Sequence, residues 1–247
     1  MHEEEAKTQG QPDTTATQNI QWGQAGRLAP ALVAAVFDVD RTLIPATTTE
    51  RIFIRYLLRR RVLSVRAVLN TLRVVLKNLR YATPYEAIRR QRAYLSGLPY
   101  DMMSAFARRC FETEIRPRLS QAGLEAIRRH KAQGHTIVLL SGSLDFLLRP
   151  LADYVGADHL IAARMEVVHG RLTGRILGPY PYGSHKAALI RHFATEHGLD
   201  FSQSYCYADH HTDHEVLSLF GNPIVVNPRR RMRQIARRRG WPIRQFN

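Results

Sequence analysis

"VAAVFDVDRTL", residues 33–43, joins apolar residues to two closely spaced aspartates. It overlaps the run 31–37, which is short and apolar, a pattern typical of a strand buried on both faces of a sheet. The run ends in two aspartates, Asp38 and Asp40, with Thr42 close behind. Burying a lone carboxylate is costly. Because ligands of open α/β sheets bind at the carboxyl ends of strands, we expect both acids to line the mouth of a crevice.

Strands and helices alternate along the second half of the chain. Further buried strands are predicted at residues 135–140, 204–208 and 223–227, with helices between them, and a hairpin is predicted at 160–177. This alternation predicts the α/β class, with a Rossmann-like parallel sheet that carries helices on both faces.

The chain divides into three predicted regions. Residues 1–28 are rich in Gln, Thr, Gly and acidic residues, and we expect them to be a disordered lead-in. Residues 29–44 and 118–247 are predicted to form the core domain. Residues 45–117 are predicted to form a helical cap domain inserted after the first strand. Apolar residues recur there with helical spacing, at Val65, Val68, Leu69, Leu72, Leu76 and Leu79.

Polar side chains also follow the later strands. Ser141 follows the second predicted strand, Asp209 and Asp213 follow a later one, and Lys186 opens the helix after Gly183. Together with the two acids of the first strand, they bring carboxylates, a hydroxyl and an ammonium to one edge of the sheet. Carboxylate oxygens suit Mg²⁺. A metal ion beside a lysine and a serine is a site for a dianion, for which phosphate is the obvious candidate.

The order of these motifs resembles the haloacid dehalogenase (HAD) superfamily of phosphatases. FDVDRTL, LLSGS, GSHKAAL and YADHHTDHEVL occur in this order, each after a predicted strand or at a helix start. From about residue 33 to residue 246 the chain is most similar to subclass IB, the phosphoserine-phosphatase-like hydrolases. The resemblance implies a Mg²⁺-dependent phosphomonoester hydrolase whose helical cap closes over the site and excludes water.

The resemblance also implies a role for each motif residue. Asp38 would be the nucleophile that forms an aspartyl-phosphate, and Asp40 would be the general acid and then the general base. The phosphoryl oxygens would be held by Thr42, Ser141 and Lys186. The Mg²⁺ ligands would be Asp38, Asp209, the backbone carbonyl of Asp40 and, directly or through water, Asp213.

Two positions depart from the usual family pattern. Arg41 stands where many relatives have Gly or Ser, and Ala208 stands where Gly often precedes the fourth motif. The site residues also have simpler explanations. The first two aspartates could be turn residues, Ser141 and Asp213 could be helix caps, and Lys186 could be a solvated lysine. A zinc site is a further alternative for His210, His211 and His214, although the flanking aspartates already explain that loop.

Excess positive charge is confined to two segments. The net charge is +15, with 15 basic and 5 acidic residues in 45–117 and 8 arginines without an acidic residue in 216–247. The simplest explanation is a solvated surface. A basic surface that lies peripherally on an anionic membrane is the alternative. Nucleic-acid binding is disfavoured, because aromatic residues are sparse among the basic ones and no binding motif occurs.

Composition also bounds the compartment. The two cysteines, Cys110 and Cys206, are too few for a disulfide framework and lack a metal-binding spacing. No apolar run approaches the roughly 18 residues that span a bilayer, and the acidic, polar start of the sequence does not resemble a secretory signal. We therefore expect a cytoplasmic protein, with peripheral membrane contact left open.

The substrate is the least constrained inference. True phosphoserine phosphatases usually carry a glutamate nine residues after the nucleophile, where this chain has Thr47, and the nearest acid is Glu50. This argues against phosphoserine, and the basic, apolar cap favours an anionic or lipid-like phosphate ester. Two alternatives stay open: a phosphoserine-type phosphatase of small metabolites, and a non-catalytic membrane- or nucleic-acid-binding module with a relic site.

Overall fold

The computed structural model describes residues 31–64, 69 and 92–246. Within this part the strands are β1 Ala34–Phe37, β2 Thr136–Leu144, β3 His159–Val168, β4 Arg171–Leu177, β5 Tyr205–Ala208, β6 Asn222–Val226 and β7 Ile243–Arg244. They form one sheet in the order β4-β3-β2-β1-β5-β6-β7. The strand that carries the first motif therefore lies in the middle of the sheet.

β1 pairs in parallel with β2 on one side and with β5 on the other. β3 and β4 form the predicted antiparallel hairpin, and the remaining pairings are parallel. All four β1 residues are buried: Ala35 and Phe37 pack into one hydrophobic core, and Ala34 and Val36 pack into the other. The predicted α/β class and the strand buried on both faces are thus confirmed.

Helices cover both faces of this sheet. They are α1 Thr49–Arg59, α2 Tyr100–Cys110, α3 Gln121–Ala132, α4 Asp145–Val155, α5 Ser184–His197, α6 His214–Leu217 and α7 Arg230–Arg239. The core that contains Phe37 takes its helical residues from α1 to α4, and the opposite core takes them from α5 to α7. None of the helices in the described ranges is long and apolar enough to cross a membrane.

Most element boundaries agree with the sequence predictions, and three differ. The predicted strand 135–140 continues as β2 to Leu144, because Leu144 still pairs with Ala163 of β3. The helix predicted between the strands 204–208 and 223–227 is instead a 3₁₀ turn followed by the single-turn helix α6. The sequence analysis does not predict β7, since two residues are too few to show a periodic pattern.

The predicted cap, 45–117, is described in part. α1 and α2 lie within it, and α2 begins directly after Pro99. From the predicted apolar stripe only Leu69 is described, and it is 51% exposed. The other stripe residues and the lead-in 1–28 lie outside the described residues. The chain from residue 31 onward clusters as one compact unit, so its division into a core and a cap stays a prediction.

Candidate active site

The first candidate site residue, Asp38, follows β1 directly and is buried. Its Oδ1 accepts a hydrogen bond from Lys186 Nζ at 2.6 Å, and its Oδ2 accepts one from Thr42 Oγ1 at 3.1 Å. The same ammonium lies 3.2 Å from Asp213 Oδ1. The end of β1, the loop after β5 and the first turn of α5 therefore meet at one point, as the carboxyl edge of a parallel sheet requires.

Asp38, Asp209 and Asp213 form the acidic part of the site. All three are buried, and each offers a carboxylate oxygen within 4.8 Å of the others. Burial, reinforced by the neighbouring carboxylates, raises the pKa of Asp38 to about 7 and the pKa of Asp209 to about 8. Buried oxygen donors that repel one another at this distance fit a divalent cation, and their hardness suits Mg²⁺.

Lys186 supplies the positive charge of the site and is only 4% exposed. Burial acts to lower the pKa of Lys186, but the carboxylates of Asp213 and Asp38 outweigh burial and hold that pKa above its usual value. The side chain is therefore an ammonium ion paired with two acids. The alternative of a solvated lysine near a helix start is wrong.

Asp40 lies in a different setting from Asp38. Its Oδ1 accepts hydrogen bonds from Thr49 N at 2.7 Å and Thr49 Oγ1 at 2.9 Å, and its Oδ2 accepts one from Ser143 Oγ at 2.6 Å. Burial raises the pKa of Asp40, although these hydrogen bonds act to lower it. The sequence analysis misses Thr49 and Ser143. A polar residue at the start of α1 and a second serine two residues beyond Ser141 are the signals that could have indicated them.

The two helix-cap alternatives do not hold. Ser141 lies inside β2, where its Oγ accepts a hydrogen bond from Ser143 N at 3.2 Å, and α4 begins later, after Leu144. Asp213 does precede α6, but no side-chain cap bond forms there, and its carboxylate pairs with Lys186 instead. Ser141 is buried beside the end of β1, because β2 is the neighbour of β1.

The three histidines of the loop after β5 do not assemble as a metal site. His210 Nδ1 lies 2.8 Å from Thr212 Oγ1, and His214 Nδ1 lies 2.9 Å from the carbonyl oxygen of His211. In the described part of the chain, the group that could hold a metal ion is the aspartate trio. The zinc alternative therefore has no support from the geometry.

Arg41, one of the two departures from the family pattern, occupies a tight turn. Its backbone has φ 70°, a left-handed conformation that favours glycine. The turn is held because Arg41 N donates to the carbonyl of Ile44 at 2.9 Å, and Asn227 Nδ2 donates to the carbonyl of Arg41 at 3.4 Å. The positive charge of Arg41 also acts against burial to lower the pKa of Asp209. Ala208, the other departure, is the buried last residue of β5.

A largely buried polar cluster adjoins the site, and most of it is not predicted from the sequence. Glu50 forms an ion pair with Arg92 and accepts a hydrogen bond from Tyr94 Oη at 2.6 Å. The Arg92 guanidinium lies 6.0 Å from the ring centroid of Tyr180. The Tyr180 hydroxyl lies so near Gly142 that a Cβ there would approach it to 3.0 Å. The cluster therefore borders β2 at Gly142, between the two serines of that strand.

The family follows from a comparison with family models. The model of the haloacid dehalogenase-like hydrolases matches residues 35–218, which include every predicted site residue. The chain therefore belongs to the haloacid dehalogenase-like hydrolases. It is an enzyme of the phosphatase kind, and the resemblance seen in the motifs is confirmed.

Named relatives are similar to most of this chain, and the names of two of them denote phosphatases. The chain is 33% identical, over 87% of its length and 78% of the relative's, to the "Inhibition of morphological differentiation protein" of Streptomyces azureus. It is 31% identical, over 90% of its length and 78% of the relative's, to a Mycobacterium tuberculosis protein named "Probable phosphatase". A phosphoserine phosphatase of the same bacterium is 29% identical, over 86% of this chain and 70% of the relative.

A solved structure supports the fold independently. A protein of unknown function from Bordetella pertussis Tohama I matches with a TM-score of 0.73 at 26% identity, over 86% of this chain and 98% of that chain. The parallel sheet and its flanking helices are thus shared with a natural protein along nearly its whole length.

Proposed function

We propose that this protein is a Mg²⁺-dependent phosphomonoester hydrolase that works through an aspartyl-phosphate on Asp38. The observation that carries the proposal is the buried ion pair of Asp38 with Lys186, set within the trio of aspartates. A nucleophilic carboxylate must be ionised and must approach a phosphoryl group that is itself anionic. The ammonium of Lys186 supports both requirements, since it pairs with Asp38 and leaves the site less negative.

Asp40 has the properties of a proton carrier for the leaving group. Its carboxyl group is oriented by Thr49 and Ser143, and burial raises the pKa of Asp40 above that of a free carboxyl group. A protonated Asp40 gives its proton to the departing alkoxide oxygen. The resulting carboxylate then takes a proton from the water that attacks the aspartyl-phosphate, so one group serves both steps.

The phosphoryl oxygens would be held by Thr42, Ser141 and Lys186. Thr42 Oγ1 and Lys186 Nζ already reach the two oxygens of Asp38. Ser141 lies on the neighbouring strand, with its hydroxyl inside the buried edge of the sheet. Thr42 and Lys186 would exchange their present acceptors for phosphoryl oxygens when substrate enters, and the Ser141 hydroxyl would donate to a further one.

The Mg²⁺ ion would be held by the carboxylates of Asp38, Asp209 and Asp213 and by the backbone carbonyl of Asp40. When bound, Mg²⁺ neutralises negative charge on the phosphoryl group and on the acids around it. The carboxylate of Asp40 is engaged by hydroxyl donors and is not part of the trio. That separation supports a role for its carbonyl, rather than its side chain, toward the metal.

The substrate we propose is a small phosphorylated molecule, as the name of the phosphoserine phosphatase relative suggests. Glu50 is the acid nearest in sequence to the position where phosphoserine phosphatases carry their glutamate, and it is paired with Arg92 and Tyr94. Phosphoserine itself stays an alternative. Positive surface charge is the one observation that supports a lipid-like ester and a peripheral contact with an anionic membrane. The exposed arginines that carry this charge are 229–231, 233, 237–239 and 244.

Phosphate release from an aryl phosphate tests the proposal. We expect turnover with Mg²⁺, none after chelation, and a loss of at least about 1000-fold in Asp38→Asn, because the nucleophile is gone. Full activity of Asp38→Asn would contradict the mechanism. No turnover of any phosphomonoester by the wild-type protein with Mg²⁺ would favour the non-catalytic alternative.

A further inference from the structure

A cavity of about 550 Å³ lies beside the active site, between the start of α5, the short helix α6 and the basic helix α7. Arg231, Arg238 and Arg239 line it on the α7 side. Ser184 and Thr212 line it on the other side. Ligand pockets of proteins measure roughly 300–1,000 Å³, so this cavity is large enough for a small organic molecule.

The charge of the cavity is strongly positive. Across the ranges that the structure describes, Arg231, Arg238 and Arg239 form no ion pair with a carboxylate. Glu215 is the one acid among the lining residues. Three guanidinium groups with a single opposing carboxylate leave an excess that an anion would neutralise.

The histidines of the cavity add hydrogen-bonding groups. His211 and His214 both line it and are half-buried. The permanent positive charge of the cavity therefore comes from α7, and the loop after β5 supplies further polar groups.

The proposed catalytic mechanism does not use these arginines. The ammonium that pairs with the nucleophile is Lys186, and the proton carrier is Asp40. Yet the cavity shares its wall with the catalytic machinery, because Ser184 lies two residues before Lys186 and Thr212 lies directly before Asp213.

We propose that this cavity binds a pyrophosphate group, either free or carried on a small organic molecule such as a nucleoside diphosphate. Guanidinium groups bind phosphate oxygens in bidentate pairs. Three arginines around one cavity match two adjoining phosphates better than a single one. The volume exceeds what pyrophosphate fills, and Ile235 offers an apolar contact for an organic part. The proposal concerns a site separate from the proposed reaction centre and does not depend on it.

Calorimetric titration of the full chain with inorganic pyrophosphate tests the site directly. The titration is done at low ionic strength with a chelator, so that no metal ion draws pyrophosphate to the three aspartates. We expect one saturable site. The double variant Arg231→Gln/Arg238→Gln should weaken binding by about 10-fold or more, because each charge-assisted hydrogen bond contributes strongly.

The matched control is Arg230→Gln/Arg237→Gln, which removes the same charge from the same helix outside the cavity. It should weaken binding by less than about 3-fold, as expected for screened charges at a distance. The exposed single variant Arg238→Glu repeats the test with little risk to folding and should also lose binding. Circular dichroism checks that each variant is folded.

Two further probes identify the source of the pyrophosphate group. ADP that binds more tightly than pyrophosphate supports an organic diphosphate, and equal or weaker binding supports free pyrophosphate. Adenosine alone should not bind.

Absence of saturable pyrophosphate binding, or equal losses in the two double variants, would overturn the proposal. Binding of phosphatidylglycerol vesicles or an oligonucleotide in place of pyrophosphate, with equal losses in both variants, would likewise overturn it in favour of a diffuse basic surface.

Discussion

Asp38 and Asp40 lie two residues apart on one loop, yet their surroundings are opposite in kind. Asp38 contacts the ammonium of Lys186 and belongs to a trio of acids, so charged groups surround it. Asp40 is held by uncharged donors, the backbone and hydroxyl of Thr49 and the hydroxyl of Ser143. The same residue type is thus placed in a charged environment at one position and in a neutral one at the other.

This difference separates the chemistry of the two acids. Lysine and a bound cation both favour the ionised form of Asp38, which a nucleophile needs. At Asp40 burial is the largest influence, and the charge of Glu50 adds to it; both raise the pKa, although the hydroxyl and backbone donors oppose them. Lys186 thus acts to hold Asp38 in its ionised form, whereas the hydrogen-bond partners of Asp40 are uncharged donors. Pairs of acids whose environments differ in this way divide the roles of nucleophile and acid.

Removal of the charge beside Asp38 should have the largest effect. Lys186→Met leaves three buried acids without their ammonium, so we expect a loss of at least about 1000-fold in kcat/KM for an aryl phosphate. The measurement is phosphate release at saturating Mg²⁺. Lys131→Met is the matched control, because Lys131 bonds the carbonyls of Val155 and Gly156 away from the site. Activity of Lys186→Met within about tenfold of the control would contradict the role of the ion pair.

Asp40→Asn should give the next largest effect, and one that depends on the leaving group. An alkyl phosphate needs a proton on its departing oxygen, so its turnover should fall by about 100- to 10,000-fold. An aryl phosphate with an acidic leaving group should lose less in the first step. The aspartyl-phosphate should then accumulate, because no base activates the water; acid quenching and mass spectrometry would detect it. Equal losses for both substrates, with no trapped intermediate, would contradict the assignment.

Thr49→Val tests the uncharged hydrogen-bond donors that hold Asp40, and it should have a smaller effect. The variant removes one hydroxyl donor and keeps the backbone donor, so we expect about a tenfold loss for an alkyl phosphate. Hydrogen bonds to the ionised form lower a pKa, so removing one raises the pKa of Asp40. The alkaline limb of the pH–rate profile, where Asp40 loses its proton, should therefore move to higher pH. A loss without that movement would indicate only a structural role for Thr49.

The charged residues around Asp38 were predicted from the sequence more completely than the uncharged donors that hold Asp40. Asp38, Lys186, Asp209 and Asp213 lie in motifs whose order is recognisable, and parallel strands necessarily bring their carboxyl ends together. Thr49 and Ser143 are common polar residues in no distinctive spacing. Their partnership with Asp40 depends on where α1 begins and on how far β2 continues, and neither boundary can be read from residue types.

The ion pair of Glu50 and Arg92 likewise could not be predicted from the sequence, and its two residues lie far apart along the chain. The two residues are 42 positions apart, and the helical periodicity around them carries no information about which charged side chains turn inward. The central strand, by contrast, was predictable because a run that is apolar at every position fits burial on both faces. Sequence patterns therefore predict the layers of the fold and the strand ends, but they do not predict the polar pairs that form through tertiary packing.

Arg41 directly follows Asp40, and a substitution there should have the smallest effect of those considered. Its left-handed backbone costs about 1–2 kcal/mol for a residue other than glycine. Arg41→Gly relieves that strain and removes the charge near Asp209, whereas Arg41→Gln removes the charge and keeps the strain. We therefore expect Arg41→Gly to unfold about 2–4 °C above Arg41→Gln in thermal denaturation.

The same two variants distinguish the effect of backbone strain from the effect of charge on the affinity for Mg²⁺. Arg41 repels a cation bound at Asp209, so both variants should bind Mg²⁺ somewhat more tightly than the wild-type protein, by about 2- to 5-fold at low salt. Titration of activity against Mg²⁺ measures this change. If the charge matters, the two variants shift together; if only the turn geometry matters, Arg41→Gly shifts alone. A Tm of Arg41→Gly at or below that of Arg41→Gln would show that the turn holds no strain, and that arginine fits this position as well as glycine does.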